Sequence, residues 1–149
     1  MEIFTKSARE TQKLGQEFAA RLNFGKLNSR NGAAIICLSG DLGSGKTTFI
    51  QGLARGLGIT KRILSPTFVL MREYSLVGQM KFYHVDLYRI ESPADVRGLG
   101  LQEIWDNQEN IIAIEWPEKI KEILPGKIIE LRFSYLDENA RKIEIVEKK

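Results

Sequence analysis

A short glycine-rich run in the first third of the chain has the residue types and spacing of a phosphate-binding loop. The run from Gly40 to Thr47 reads GDLGSGKT and fits the pattern G-x-x-x-x-G-K-[ST]. Glycines let the backbone turn its N–H groups toward a phosphate, Lys46 can reach the β- and γ-phosphates, and the Thr47 hydroxyl can ligate Mg²⁺. We therefore predict that this loop binds a nucleoside triphosphate with magnesium. The residues predicted to hold the nucleotide are Asp41, Leu42, Gly43, Ser44, Gly45, Lys46, Thr47 and Thr48.

The residues on either side of this loop match the context that a P-loop requires. The apolar run from Ala33 to Leu38 is typical of a buried parallel strand. After the loop, apolar residues recur on one face of a predicted helix: Phe49, Ile50, Leu53, Ala54 and Leu57. The alternative is a glycine-rich turn capped by Thr47. The order strand, loop, helix favours the phosphate loop, because the helix N-terminus adds a partial positive charge.

Two carboxylates stand where predicted strands end. Glu115 follows the apolar run Ile111 to Ile114, and Asp86 follows Phe82 to Val85. Strand ends of this kind lie at the sheet edge beside a P-loop, and Mg²⁺ prefers oxygen ligands. We predict that Glu115 and Thr47 hold the metal and that Glu115 and Asp86 are catalytic. The alternative for either acid is an ordinary loop carboxylate.

The segment Ser65-Pro66-Thr67 lies between the P-loop helix and the next predicted strand. In P-loop switches this region carries a hydroxyl that senses the γ-phosphate through the metal, so Thr67 is a third catalytic candidate. A plain proline turn is an equally good interpretation of the composition alone.

Three further side chains have two interpretations each. His84 is the only histidine, and we expect it to be a hydrogen-bonded structural residue rather than a catalyst. Trp116 can stack on a base or a partner, but core packing is the default for an aromatic residue. Arg89 can act as an arginine finger in cis, although a surface salt bridge is the simpler expectation.

Size and composition limit the classes of protein that the chain can belong to. Its 149 residues, 43% hydrophobic and 28% charged, fit one soluble globular domain over residues 1–149. The net charge of +3 is compatible with RNA contact, but solvated lysines explain it equally well. The single Cys37 is expected to be a core residue. Neither a signal peptide nor a membrane-spanning run is evident, which predicts a cytoplasmic protein.

The spacing of the elements predicts an α/β fold of the P-loop NTPase type, with three layers and a mixed central sheet. We expect parallel strands at the centre of the sheet and antiparallel strands at its edges. The predicted elements outside the P-loop region are a helix starting at Ser7, a hairpin of Phe68–Ser75 and Met80–Asp86, short helices after Ser92-Pro93 and over Leu101–Trp105, and strands Lys127–Phe133 and Lys142–Glu147.

Absent motifs favour ATP over GTP as the nucleotide. A guanine-reading N-K-x-D segment does not occur in the sequence. The run Asp95 to Gly98 matches D-x-x-G, but it falls in a predicted short helix rather than after a strand, and we interpret it as accidental.

Four motifs taken together resemble the TsaE (YjeE) family, the small ATPases of bacterial tRNA threonylcarbamoyladenosine synthesis. They occur in family order and with family-like spacing between Gly40 and Pro117. Ser44 stands where that family more often has alanine, which is similarly small. The motifs are Gly40–Thr48, Ser65-Pro66-Thr67-Phe68, His84-Val85-Asp86-Leu87-Tyr88-Arg89 and Ile114-Glu115-Trp116-Pro117.

The resemblance implies a role as well as a ligand. In that family the ATPase acts with TsaB and TsaD, which transfer a threonylcarbamoyl group to the adenosine next to the anticodon in tRNAs reading codons that begin with A. By position, Lys46 and Thr47 match residues that contact phosphates and metal, and Glu115 matches a metal-coordinating acid. Asp86 matches an acid important for hydrolysis, and Thr67 lies in the switch-like segment.

Two other functions remain open on the sequence. A small-molecule kinase on the same scaffold would need a mobile lid and an acceptor pocket, and the segment Ser92–Asn110 is short for both. A nucleotide-sensing binding module would keep the site but lack significant turnover.

Overall fold

The computed structural model describes residues 1–23, 32–63 and 70–148. Its strands are β1 Glu2–Thr5, β2 Ala34–Ser39, β3 Met71–Ser75, β4 Lys81–Asp86, β5 Asn110–Glu115, β6 Ile128–Tyr135 and β7 Arg141–Lys148. Its helices are α1 Ala8–Asn23, α2 Lys46–Gly56 and α3 Leu101–Asp106, with 3₁₀ segments Pro93–Val96 and Pro117–Ile123. Over these residues, none of the helices has both the length and the apolar character needed to cross a membrane.

The strands form one mixed sheet in the order β1-β7-β6-β2-β5-β4-β3. The four central strands β6, β2, β5 and β4 are parallel neighbours, whereas β1, β7 and β3 pair antiparallel at the two sides. The carboxyl ends of β2, β4 and β5 therefore meet at one edge of the sheet, which is where P-loop proteins bind their ligands. This confirms the predicted α/β class with its parallel centre and antiparallel edges.

Helices α1 and α2 cover one face of the sheet. The apolar face of α2 contributes Phe49, Ile50 and Leu53, all with 0% exposure, to the core. A Cβ atom on Gly52 would lie 1.9 Å from the carbonyl oxygen of Gln12, so only glycine lets the two helices approach this closely. The close contact fixes the packing of α2 against α1.

The other face of the sheet is covered by α3 and the two 3₁₀ segments. Its core includes Cys37, Val85, Ile112 and Ile114, each 1% exposed or less. Cys37 is therefore a core residue, as its sequence context predicts. Side chains alternate along the strands, so His84 and Glu115 point to the opposite face, which α2 covers.

Most element predictions agree with the structure, and one strand was missed. Ser7 caps α1 as expected, because the Glu10 N–H donates to its Oγ at 3.1 Å. Strand β1 was not predicted, since four residues with charged neighbours carry little local signal. It forms because Ile3 pairs with Ile143 of β7, a partner far away in the sequence. The beginning of the predicted strand Phe68–Ser75 and the segment Ser65-Pro66-Thr67 before it lie outside the described residues, which omit 64–69.

Candidate functional site

The loop between β2 and α2 leaves the N-terminus of α2 without a side-chain cap. Gly43 and Gly45 have φ angles of 78° and 102°, a region that residues with a Cβ rarely adopt. Gly45 is the N-cap of α2 and supplies no side-chain hydrogen bond to the first turn. The N–H groups of that turn therefore point out of the helix without a side-chain cap, which is the arrangement that binds phosphate.

A cavity of about 380 Å³ opens in front of this loop. It lies between the loop, the ends of β4 and β5, and the first residue of β7. The Ser44 Oγ atom is buried and has no hydrogen-bond partner among the described residues. The residues singled out in the sequence analysis that line the cavity are Leu42, Gly43, Ser44, Gly45, Lys46, Thr47, Thr48, Asp86, Arg89, Glu115 and Trp116.

Lys46 places a buried ammonium group at the floor of this cavity. Its side chain is 5% exposed, its Nζ donates to the Gly40 carbonyl oxygen, and the same atom lies 3.9 Å from the centre of the Trp116 ring. Burial lowers the pKa of Lys46, while the nearby carboxylates of Glu115, Glu118 and Asp86 oppose the shift. An anion bound beside Nζ would favour its charged form.

Glu115 is a buried carboxylate whose two oxygens are both held. The residue is 3% exposed, and its Oε1 accepts a hydrogen bond from the Thr47 hydroxyl at 3.4 Å. Its Oε2 lies 2.7 Å from Nε2 of His84, which is fully buried in β4. A carboxylate oxygen acts as the acceptor of a hydrogen bond, so this contact uses the histidine tautomer with its proton on Nε2. The carboxylate is thus oriented toward Thr47 before any ligand arrives.

Asp86 lies beside Glu115 at the end of the neighbouring strand. The two residues are register partners between β4 and β5. Asp86 is half-buried, and its Oδ1 accepts a hydrogen bond from the Tyr88 N–H at 3.0 Å. Burial raises the pKa of Asp86, the Tyr88 hydrogen bond opposes this rise, and the charge of Glu115 adds to it. The site therefore holds two carboxylates in different environments.

Comparison with known proteins places the chain in a family. The family model described as threonylcarbamoyl adenosine biosynthesis protein TsaE matches residues 5–143. The chain belongs to the TsaE family. A TsaE protein of a Nostoc species is 44% identical over 147 residues, which cover 97% of this chain and 84% of the relative. The TsaE protein of Haemophilus influenzae is 39% identical, with 90% of this chain and 81% of the relative covered.

A solved structure supports the same assignment. The crystal structure of Bacillus subtilis YdiB aligns with a TM-score of 0.77 and 29% sequence identity, covering 100% of this chain and 86% of that one. Both relatives above are named tRNA threonylcarbamoyladenosine biosynthesis protein TsaE. The resemblance that the four motifs indicate is therefore confirmed, and it extends well beyond the segment Gly40–Pro117.

The fold brings most of the predicted site residues of this TsaE-family chain together. Lys46, Thr47, Asp86 and Glu115 all face the one cavity in front of the loop. Thr67 lies outside the described residues, so its catalytic role stays a prediction. Within the described ranges, no group of three or more His, Cys, Asp and Glu could hold a metal ion. A metal at Thr47 and Glu115 would therefore need further oxygen ligands from a nucleotide and water.

Arg141 is a site residue that the sequence analysis missed. It lies at the start of β7, and its Nη2 donates to the Gly43 carbonyl oxygen at 3.0 Å. Its Nη1 donates to the Asp137 carbonyl oxygen at 2.6 Å, and the guanidinium lies 4.6 Å from the centre of the Tyr135 ring. No local motif marks this arginine, because only the register of the β6–β7 hairpin carries it to the loop.

Trp116 is part of the site rather than a plain core residue. It follows Glu115 with a left-handed φ of 62°, which turns the chain sharply at the end of β5. Its ring packs at 5.2 Å from that of Tyr88 and covers the ammonium group of Lys46. The ring is half-buried and borders the cavity, and its stacking on a base or a partner stays a prediction.

Proposed function

We propose that this chain binds and hydrolyses ATP with Mg²⁺ and thereby supports formation of threonylcarbamoyladenosine next to the anticodon of tRNA, acting with TsaB and TsaD. The observation that carries the proposal is the convergence of Lys46, Thr47 and Glu115 on one cavity in front of the P-loop. Membership of the TsaE family supports the place in tRNA modification. The family resemblance supports the two partner proteins.

The loop is suited to the phosphates of a nucleoside triphosphate. The uncapped N-terminus of α2 offers backbone N–H groups, and the buried Ser44 hydroxyl is a further donor. Lys46 supplies a positive charge. Because burial lowers the pKa of Lys46, a bound anion helps to keep its ammonium group protonated. These groups are fixed in place before binding, which lowers the ordering cost of the complex.

Thr47 and Glu115 are suited to hold Mg²⁺. A hydroxyl and a carboxylate are hard oxygen ligands, and the two side chains already contact each other at 3.4 Å. When bound, the metal would neutralise charge on the β- and γ-phosphate oxygens. His84 acts through Glu115, because its hydrogen bond fixes the orientation of the carboxylate.

Asp86 is the residue that we assign to hydrolysis. A carboxylate with a raised pKa is a stronger base than an ordinary aspartate, so it is better able to orient and polarise a water molecule. Its position beside Glu115 places it within the same cavity. Removing Asp86 is expected to slow turnover more than it weakens nucleotide binding.

The open side of the cavity supports activation by partner proteins. Leu42 and Tyr88 border the cavity and are 65% and 45% exposed, so this rim presents apolar surface to solvent. Water has access to the site until this side is covered, which favours slow turnover by the isolated chain. Covering the rim with TsaB and TsaD would exclude water, and Thr67 stays our candidate for a residue that they order.

The proposal is tested in cells from which the gene has been deleted. The nucleosides of their tRNA are measured by mass spectrometry after complementation with wild type, Lys46→Ala or Lys121→Ala. Lys121 is exposed on the segment Pro117–Ile123, so its variant is a matched control for the loss of one lysine. Wild type and the control should restore threonylcarbamoyladenosine, whereas Lys46→Ala should not. Normal levels of the modified base in the deletion strain, with no paralogue present, would contradict the proposed role.

A further inference from the structure

A second cavity lies at the opposite end of α2 from the P-loop. Its volume is about 630 Å³. Its polar lining consists of Gln12, Gln51, Arg55, Thr60, Lys61 and Arg62, a surface that we call the basic cleft. Arg55 comes nine positions after Lys46 in the helix, so the two residues are about 14 Å apart along the helix axis. The basic cleft is therefore separate from the nucleotide cavity.

The floor of the basic cleft is held by hydrogen bonds. Gln12 of α1 donates from Nε2 to Oε1 of Gln51 in α2 at 3.2 Å. Gln51 in turn donates from Nε2 to the Ile63 carbonyl oxygen at 3.4 Å. Because α1, α2 and the segment after α2 are joined in this way, the shape of the cleft is set by the fold.

The charge of the basic cleft has one sign. Arg55, Lys61 and Arg62 are exposed, and none of them forms an ion pair within the described part of the chain. No aspartate or glutamate is among the described residues that line the cleft. Arg132, in contrast, forms ion pairs with Glu130 and Glu144. A local excess of three cations attracts an anionic partner.

We propose that the basic cleft binds the phosphate backbone of RNA. Arginine, lysine, threonine and glutamine side chains are the donors that proteins use for phosphate and sugar oxygens. An acidic protein is the less suitable occupant, because protein interfaces need an apolar core. The apolar side chains that line the cleft, Ile59 and Ile63, are only 9% and 3% exposed, so they offer little apolar surface to a partner. The choice of tRNA as the RNA rests on the proposed function.

Fluorescence anisotropy of labelled tRNA tests the proposal across a series of salt concentrations. The probe variant is Arg55→Gln/Lys61→Gln/Arg62→Gln, and the control is Arg97→Gln/Lys121→Gln/Lys127→Gln. Both remove three exposed cations, so they change the net charge equally. The probe variant should lose at least 10-fold in affinity at low salt, whereas the control should lose less than 3-fold. Each lost phosphate contact should reduce the slope of log K against log salt by about 0.7–0.9, so loss of all three should reduce it by roughly 2–3.

Three results would overturn the assignment. The first is an equal loss of tRNA affinity in the two triple variants, which would show that the effect depends on net charge alone. The second is absence of tRNA binding by wild type at low salt. The third is cleft-dependent binding of a polyglutamate peptide without binding of tRNA, which would indicate an acidic protein partner. The same probe variant should bind ATP with the affinity of wild type. A defect at the nucleotide site is thereby distinguished from a defect at the basic cleft.

Discussion

The ends of β4 and β5 carry the same kind of group in two different environments. Glu115 at the end of β5 is 3% exposed and has hydrogen bonds on both oxygens, to Thr47 and His84. Asp86 at the end of β4 is half-buried, and the described residues hold only its Oδ1, through the Tyr88 N–H. One carboxylate is thus fully positioned by its neighbours, and the other keeps an oxygen for the cavity.

This difference separates the two roles that one cavity must combine. A metal ligand works best when its geometry is fixed in advance, as in a carboxylate oriented by a histidine. A residue that orients water has to leave room for that water. Both carboxylates act on Lys46, since the charges of Glu115 and Asp86 each raise its pKa. The predictions below test whether the two strand ends differ in this way.

The largest expected effect is on hydrolysis, after removal of either carboxylate. Glu115→Ala and Asp86→Ala should each lower ATP turnover by about 10²-fold or more, because each removes a positioned group from the reacting centre. The two variants should differ in their need for metal. Glu115→Ala should raise the Mg²⁺ concentration that gives half-maximal activity, whereas Asp86→Ala should leave it close to the wild-type value.

The assay measures phosphate release in the presence of TsaB and TsaD while Mg²⁺ is titrated. Glu122→Ala is the control, because Glu122 is exposed on the segment Pro117–Ile123 and does not line the cavity. Thermal denaturation checks that all three variants remain folded. Equal metal dependence in the Glu115 and Asp86 variants would remove the proposed division of roles.

A smaller effect is expected from the residue that orients Glu115. His84→Ala should lower turnover by about 10-fold and raise the Mg²⁺ requirement, since loss of an outer-shell partner costs about 10- to 100-fold in affinity or activity. His84→Gln keeps an N–H donor in the same strand position and should recover most of the activity. If both variants lost activity to the same degree with an unchanged Mg²⁺ requirement, His84 would be a packing residue only.

The smallest effect is on stability and concerns Asp86 alone. Its raised pKa means that the folded protein binds this proton more tightly than the unfolded chain does. Its contribution to stability therefore falls as the pH rises from below the ordinary pKa of aspartate through the folded value. Asp86→Asn should raise the Tm by about 2 °C at pH 7, and the difference should shrink as the pH approaches 4.

Differential scanning fluorimetry across that pH range measures the difference directly. Asp95→Asn is an unsuitable control because Asp95 caps the segment Pro93–Val96, so exposed Asp106→Asn is used instead. A lower Tm for Asp86→Asn than for wild type at pH 7 would contradict a raised pKa for Asp86.

The sequence predicted the parts of this site that depend on local patterns. An apolar strand determines which residue stands at its end, so Glu115 and Asp86 were identifiable from the runs before them. The glycine spacing identifies the P-loop because it is also a local pattern, contained in one short run of the sequence. His84 was expected to be hydrogen-bonded, but its partner follows from the pairing of β4 with β5 and not from its own neighbours.

The remaining parts depend on contacts between distant segments. Arg141 reaches Gly43 because of the β6–β7 register, and β1 forms because β7 is available to pair with it. Trp116 contacts Lys46 because the chain turns through a left-handed residue at the end of β5. None of these features leaves a periodic pattern in the sequence, since each is decided by tertiary packing.

Calorimetric titration of ATP into wild type and Lys46→Ala, with and without Mg²⁺, tests the central claim most directly. The claim is that the cavity in front of the P-loop is a magnesium nucleotide site. Wild type should bind ATP in a magnesium-dependent way, and Lys46→Ala should lose about 10²-fold in affinity, as expected for a charged hydrogen bond to phosphate. The control Lys121→Ala should bind as wild type does. Unchanged ATP affinity in Lys46→Ala would contradict the account.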